Sequence, residues 1–356
     1  MKVPFFGLNR QYSNLKDELL EATDNVLSSG RLMSGKHTEE FEDWLAKKNN
    51  SKHAIVCHSG TNALEIIAKY WWNNFLVTAQ RPVAYIPTLT FPATANAFIN
   101  AGWDVKFIDV TKYGQASHEH GLNKKEFHVY VGLYGAPIVP QTFKYFPSDV
   151  IIEDGAQHWL SNDCTRYGHA TAISFDPTKN LPSSGNGGAI ITNDTALDEW
   201  VREYQNHGKP SHISVGTNSR MSELDCSHLL VRTKYLDQWQ ARRREIVEMY
   251  NKAFKDSNVE SLIHDSDIKI HACHKYVITA EDRNALSTKL HNDGIDCKIH
   301  YEKPLHEISC FSKNRGDLDM LSKASILSRK VLSLPLYPEL RNDEINYVIE
   351  KVIKHT

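Results

Sequence analysis

The chain has 356 residues, of which 41% are hydrophobic and 24% charged, with a net charge of -2 at pH 7. That length exceeds what one hydrophobic core usually serves, so two domains, or one large domain with a satellite, are expected. The near-neutral balance argues against a nucleic-acid groove or a membrane surface, and no run reaches the roughly eighteen apolar residues of a membrane helix.

The opening Met1-Lys2-Val3-Pro4-Phe5-Phe6-Gly7 has no long apolar core followed by a small-residue cleavage site, so a cytoplasmic protein is expected. Pro4 to Asn9 lacks periodicity and reads as an arm lying over another surface. Leu15, Leu19, Leu20 and Val26 fall at helical spacing up to Gly30, and Glu39, Phe41, Trp44 and Leu45 after Ser34-Gly35 predict a second helix. His53 to Cys57 reads as a strand. It leads through His58-Ser59-Gly60-Thr61-Asn62 into a helix with Leu64, Ile67, Ala68 and Trp71 on one face. A strand, a short turn and a helix present free backbone N–H groups at the helix N-terminus, a ready anion site. The plainer alternative is a helix cap by Ser59 or Thr61.

Val83 to Pro87 is the next strand, followed by Thr88-Leu89-Thr90-Phe91. An aromatic just past a strand end can stack on a flat heteroaromatic ring, although a lone phenylalanine is more often core. Asp104 to Asp109, His128 to Leu133 and Val150 to Glu153 are further strands. The last delivers Asp154, with Gln157 three residues on, at the C-terminal strand end where open α/β sheets bind ligands. Ala170 to Phe175 and Gly188 to Thr192 complete seven strand runs, which predict a mostly parallel sheet covered on both faces.

Between those last two strands, Asp176-Pro177-Thr178-Lys179-Asn180 and Ser183-Ser184-Gly185-Asn186-Gly187 hold one lysine in a glycine-ended loop. An aimed, partly desolvated lysine loses basicity and becomes nucleophilic. A pyridoxal phosphate enzyme needs such a lysine for its Schiff base and an acid for the pyridinium nitrogen, and Lys179 and Asp154 would supply the two. Singly, each has a duller reading, a solvated surface lysine and a helix-capping aspartate; their pairing in this order carries the argument.

After Asn193-Asp194 the chain turns helical, is interrupted by Gly216-Thr217-Asn218-Ser219-Arg220-Met221, and then runs from Ser222 to about Lys255 with Leu229, Leu236, Trp239, Ile246 and Tyr250 on related faces. Arg242-Arg243-Arg244 beside Glu245 reads as a solvated face. Lys275 to Ala280 and Asp296 to His300 look like strands, with helices around Leu286 and Ala324. The expected division is a large α/β domain over 1–237 and a small α+β domain over 238–356. Six scattered cysteines without a CxxC pair read as reduced, mostly buried thiols. His271 and His274 flank Cys273, but too few ligands lie nearby for zinc, and no metal is expected.

The chain resembles the DegT/DnrJ/EryC1/StrS group of sugar aminotransferases, fold-type I pyridoxal phosphate enzymes. The matching words are Ser59-Gly60-Thr61-Asn62-Ala63-Leu64, Pro87-Thr88-Leu89-Thr90-Phe91, Leu133-Tyr134-Gly135, Glu153-Asp154 to Gln157, Ser174-Phe175 to Lys179-Asn180, Asn206-His207-Gly208, Asn218 to Arg220-Met221, and Leu334-Pro335-Leu336-Tyr337-Pro338. The resemblance implies a large domain with a seven-stranded sheet flanked by helices and a small C-terminal domain. It implies pyridoxal 5'-phosphate bound through Lys179, with Asp154 at the ring nitrogen and Phe91 on the ring face. Gly60, Thr61, Asn62 and Ser174 would hold the phosphate, and Gln157 would meet the ring hydroxyl or support Asp154. Asn218 and Arg220 would reach the neighbouring subunit's site, which implies a homodimer. The implied reaction moves an amino group from an amino acid, usually glutamate, to a keto sugar on a nucleoside diphosphate, by a ping-pong route.

Three departures bear on the sugar more than on the chemistry. Gly132 stands where relatives generally have histidine, Gly155 replaces a common alanine, and Thr111 to Phe127, with three histidines nearby, looks short. Two rival readings are a sugar dehydratase on the same scaffold and a non-catalytic cofactor-binding regulator. The dehydratases replace the cofactor lysine with histidine, so Lys179 speaks against the first.

Overall fold

A computed structural model describes residues 1–75, 81–117, 127–137, 150–161, 168–314 and 318–356. The N-terminal arm crosses its own chain: Val3 N donates to Gly294 O and Asp296 N to Val3 O, both at 2.9 Å. Helix α1 (Leu8–Ser29) buries Leu15, Leu19 and Val26, and ends at Gly30, whose φ of 67° is the left-handed cap that glycine accepts without strain. Leu20 departs from the expected stripe and is half exposed, because it lies a third of a turn away from Leu19. Helix α2 spans Lys36–Lys48.

Seven strands, β1 (His53–Cys57), β2 (Val83–Pro87), β3 (Asp104–Ile108), β4 (Phe127–Val131), β5 (Val150–Asp154), β6 (Ala170–Ser174) and β7 (Gly188–Thr192), form one sheet in the order β1-β7-β6-β5-β4-β2-β3. Every pairing is parallel except those of β7, which runs antiparallel to both neighbours. Strand alternation divides the side chains between two layers. Ile55 and Cys57 face helices α3 (Gly60–Phe75) and α4 (Ala93–Asn100), with α5 (Thr195–Tyr204) beyond. Ala54 and Val56 face α2 and α6 (Glu223–Thr233). The result is the α/β architecture expected, with both faces covered.

The reversal at β7 has a local consequence. Ser174 pairs with Gly188, and Gly188 with Cys57, so β6, residues 175–187 and β7 make a hairpin whose loop lies at the ligand-binding edge of the parallel strands. That loop carries Lys179.

The long helical run expected from Ser222 is two helices, α6 and α7 (Leu236–Phe254), separated at Lys234–Tyr235. The break lets Leu229 and Leu236 pack beneath the large sheet while Ile246, Val247 and Tyr250 enter a second core. This core lies on an antiparallel sheet of β8 (Glu260–Ser261), β9 (Tyr276–Thr279) and β10 (Val331–Leu334), ordered β10-β9-β8, with α8 (Arg283–Asn292), α9 (Ser322–Lys330) and α10 (Asn342–His355) around it. Asp296 to His300 is not the strand expected: only the isolated bridges Val3–Ile295 and Lys298–Ser333 form there. Val331–Leu334 takes that place beside β9, continuing directly out of α9 with no turn residue to announce it. Leu305, Phe311 and Leu321 cross back to the first core.

No described helix is long and apolar enough to cross a membrane. Among the described residues no cluster of His, Cys, Asp and Glu could hold a metal. Cys57, Cys226, Cys273 and Cys297 are buried free thiols, Cys310 is exposed, and Cys164 lies outside the described residues.

Candidate active site

A cavity of about 360 Å³ opens where β5, β6 and the start of α3 converge. Asp154 ends β5 and Ser174 ends β6, so parallel pairing alone brings both to this edge. Asp154 is buried; Thr94 Oγ1 donates to its Oδ2 at 2.7 Å and Ala156 N to its Oδ1 at 3.2 Å. Thr90 Oγ1 lies 3.0 Å from Thr94 Oγ1 and extends the chain of hydroxyls. A carboxylate held by two donors cannot swing away, which is what a fixed partner for a ring nitrogen requires.

The hairpin loop is closed at its base by Phe175 N to Gly187 O, 2.8 Å, and Ser183 N to Phe175 O, 2.7 Å. Asp176 Oδ1 accepts from Thr178 N at 2.9 Å and from Thr178 Oγ1 at 2.6 Å, and Lys179 N donates to Asp176 O at 2.8 Å. On the far side of Lys179, Asn180 Nδ2 donates to Gln240 Oε1 (2.8 Å) and Ala272 O (2.6 Å), while its Oδ1 meets His274 Nδ1 at 3.0 Å. Lys179 is therefore anchored on both flanks. Burial lowers the basicity of its amine, opposed by the charges of Asp154 and Asp176.

At the start of α3, Ser59 Oγ accepts from Asn62 N at 3.1 Å, so Ser59 is the cap. The N–H groups of Gly60 and Thr61, the first two helical residues, have no acceptor among the described residues, so the anion site coexists with the cap. A Cβ on Gly60 would lie 2.7 Å from Ser174 Cβ, so only glycine lets this turn rest on the end of β6.

Gln157 is fixed at both ends: Oε1 accepts from Tyr134 N at 2.7 Å and Nε2 donates to Tyr301 Oη at 3.1 Å. Phe91 lies at the cavity, 55% exposed, an open aromatic face 6.0 Å from the Tyr301 ring. An acid, an amine, two free N–H groups and a bare ring around one cavity fit pyridoxal phosphate.

Of the residues named from sequence, Gly60, Thr61, Phe91, Asp154, Gln157, Ser174 and Lys179 line this cavity. Asn62, Asn218 and Arg220 are not brought into it. Asn62 Oδ1 is buried without a hydrogen-bond partner, Asn218 is exposed and bridges to Asn206, and the Arg220 Nε is buried without a partner. Thr90, Lys275, Lys298, His300 and Tyr301 also line the cavity, and nothing in their local sequence singled them out. The i, i+4 spacing of Thr90 and Thr94, at the start of α4, was the signal for the Asp154 partner.

The departures at Gly132 and Gly155 have a packing reason. Gly132 N donates to His158 Nδ1 at 3.1 Å, and a Cβ there would lie 2.3 Å from His158 Cγ. A Cβ on Gly155 would lie 2.7 Å from Thr171 Cγ2 and 2.9 Å from Ala172 O. Of the segment read as short, residues 118–126, with His118 and His120, lie outside the described residues.

The family model described as the DegT/DnrJ/EryC1/StrS aminotransferase family matches residues 13–126 and 147–353. A "Pleiotropic regulatory protein" of Geobacillus stearothermophilus is 31% identical over 99% of this chain and 98% of its own length. The dTDP-3-amino-3,4,6-trideoxy-alpha-D-glucose transaminase of Streptomyces venezuelae is 28% identical over 99% of this chain and 95% of its own length. Among solved structures, NtdA of Bacillus subtilis, with its cofactor PMP bound, superposes with a TM-score of 0.86 at 26% identity, covering 99% of this chain and 85% of that one.

Proposed function

Because the chain belongs to the DegT/DnrJ/EryC1/StrS aminotransferase family and is a pyridoxal phosphate-dependent sugar transaminase, we propose a reaction from L-glutamate to a nucleotide-linked keto sugar. The observation that carries the site assignment is that a half-buried lysine of lowered basicity and a doubly held aspartate line one cavity at a sheet edge.

Bound pyridoxal phosphate supplies an electron sink for charge developing on the carbon beside the transferred nitrogen. Lys179 Nζ removes the proton from the donor α-carbon and returns one during the second half of the cycle, as its lowered basicity suits. Asp154, fixed by Thr94 and Ala156, keeps the ring nitrogen protonated. The Gly60 and Thr61 N–H groups would hold the phosphate, together with Ser174, and Phe91 and Gln157 would hold the ring. The donor leaves as a 2-oxo acid before the acceptor carbonyl receives the nitrogen, which is the ping-pong order. Asn218 and Arg220, outside their own chain's cavity, serve the site of a second copy in a homodimer.

The test is stoichiometric. Protein saturated with cofactor and mixed with glutamate alone should release one 2-oxoglutarate per site. A following panel of nucleotide-linked keto sugars should then regenerate the starting absorbance with the true acceptor. A regulator would bind the cofactor and release no 2-oxoglutarate, and a dehydratase would return a dehydrated sugar that carries no amino group.

A further inference from the structure

Part of the cavity wall comes from the second core, and it is cationic. Lys275, just before β9, and Lys298, bridged to Ser333 of β10, both line the cavity. The Lys275 side chain is buried, and its Nζ lies 5.2 Å and 4.6 Å from the ring centroids of Phe5 and Phe6. Lys298 Nζ lies 5.6 Å and 5.4 Å from the same two rings. Two ammonium groups thus share one aromatic pair from the N-terminal arm.

Ring faces attract a cation without neutralising it. Among the described residues neither ammonium has an ion pair or a hydrogen bond. Of the cavity's carboxylates, Asp154 is held by Thr94 and Ala156 and Asp176 by Thr178, and the charge of Asp176 offsets the effect of burial and the neighbouring cations on Lys275 only in part. Keeping the buried Lys275 charged without an ion pair is costly, and the cost falls when an anion enters beside it and the exposed Lys298.

The position of Lys275 says which anion. Lys275 and Lys179 line the same cavity, and burial and then the charge of Lys179 lower the basicity of Lys275, so a group bound at Lys275 shares the cavity with the reacting nitrogen. In an amino acid the carboxylate is attached to the reacting carbon itself, whereas the phosphates of a nucleotide-linked sugar lie several bonds from any ring carbonyl. We propose that Lys275 and Lys298, backed by Phe5 and Phe6, form the subsite for the α-carboxylate of the amino donor. This rests on the transaminase reading. A carboxylate carried by the acceptor has the same chemistry, and the two sources are separated by experiment.

The cofactor-loaded protein and its Lys275→Met, Lys298→Met and Lys275→Arg variants would be compared in three measurements. These are half-saturation by L-glutamate in the half-reaction, KM for the keto sugar, and calorimetric binding of glutarate, a dicarboxylate that cannot transaminate. Loss of a charge-assisted contact should raise the half-saturating glutamate about 10–100-fold in Lys275→Met, with kcat affected far less. Lys298→Met should produce a smaller rise, Lys275→Arg should recover part of the loss, and glutarate should weaken in parallel while cofactor absorbance stays constant. Unchanged glutamate and glutarate binding in both Met variants would overturn the subsite and leave the transaminase reading standing. A rise confined to the keto-sugar KM would overturn the donor assignment. Weakened glutarate in a protein that never releases 2-oxoglutarate would uphold the anion subsite and remove the transaminase reading.

Discussion

On the sheet side of the cavity, Asp154, Gln157 and Asn180 each have hydrogen-bond partners that fix their orientation. On the side contributed by the second core, Lys275 and Lys298 rest on aromatic rings with no ion pair among the described residues, and His274 and His300 are held neutral. Burial, followed by the neighbouring lysines, depresses both imidazoles, His300 to about 3. The contrast separates two tasks. On the proposed reading, side chains that orient the resident cofactor are held by the chain itself, while the phosphate's N–H donors and the two lysines are left for what binds to satisfy.

The most severe way to break the sheet side is Lys179→Ala. It should lower 2-oxoglutarate release by more than about 10³-fold and erase the Schiff-base absorbance. Near-parental activity in that variant would remove the assignment of Lys179. Next, Asp154→Asn should keep a measurable fraction of bound cofactor and lose about 10²–10³-fold in rate, read by single-turnover absorbance; a rate within a few-fold of the parent would leave Asp154 without its role.

The second-core side can be probed through stability. His271, His274 and His300 have folded-state pKa values below the unfolded value near 6.5, His271 and His300 at about 3. For such a group the unfolded chain binds more protons in that window. Stability is therefore intact above pH 6.5 and falls as pH drops toward 3, by up to about 1.4 kcal/mol per histidine per pH unit. Urea midpoints of the cofactor-free protein should drop from pH 7 to pH 5, and a flat profile would contradict buried neutral histidines. The mildest change, Thr94→Val, removes the 2.7 Å donor to Asp154 and should cost about 10-fold in the half-reaction, with Thr94→Ser restoring most of it. Equal rates in the two variants would make that hydroxyl dispensable.

The sheet side was legible because its chemistry follows strand order. A strand that ends in an acid and a hairpin loop that holds a lysine are both visible as local words, and parallel pairing brings their ends together. The second-core side was not. Lys275 reads as an ordinary strand residue, and its meaning depends on Phe5 and Phe6, far away in sequence, which the Val3–Ile295 bridge draws close. The misread strand at Asp296 to His300 has the same origin. Its alternation of apolar and polar residues suits an edge, yet it makes only the Lys298–Ser333 bridge to β10, and the arm's bridge falls on Ile295 just before it. Asn62, Asn218 and Arg220 came from family words alone, and a single chain gives them no place in its own cavity.

The contact between Gly132 and His158 constrains how this lineage can change. A Cβ at 132 would lie 2.3 Å from the imidazole and 2.5 Å from Ala136 O, while shrinking 158 leaves a void and takes away the acceptor of the Gly132 N–H. A larger residue at 132 therefore needs the backbone around Ala136 to shift as well as a smaller side chain at 158, so no single substitution at 158 opens the position.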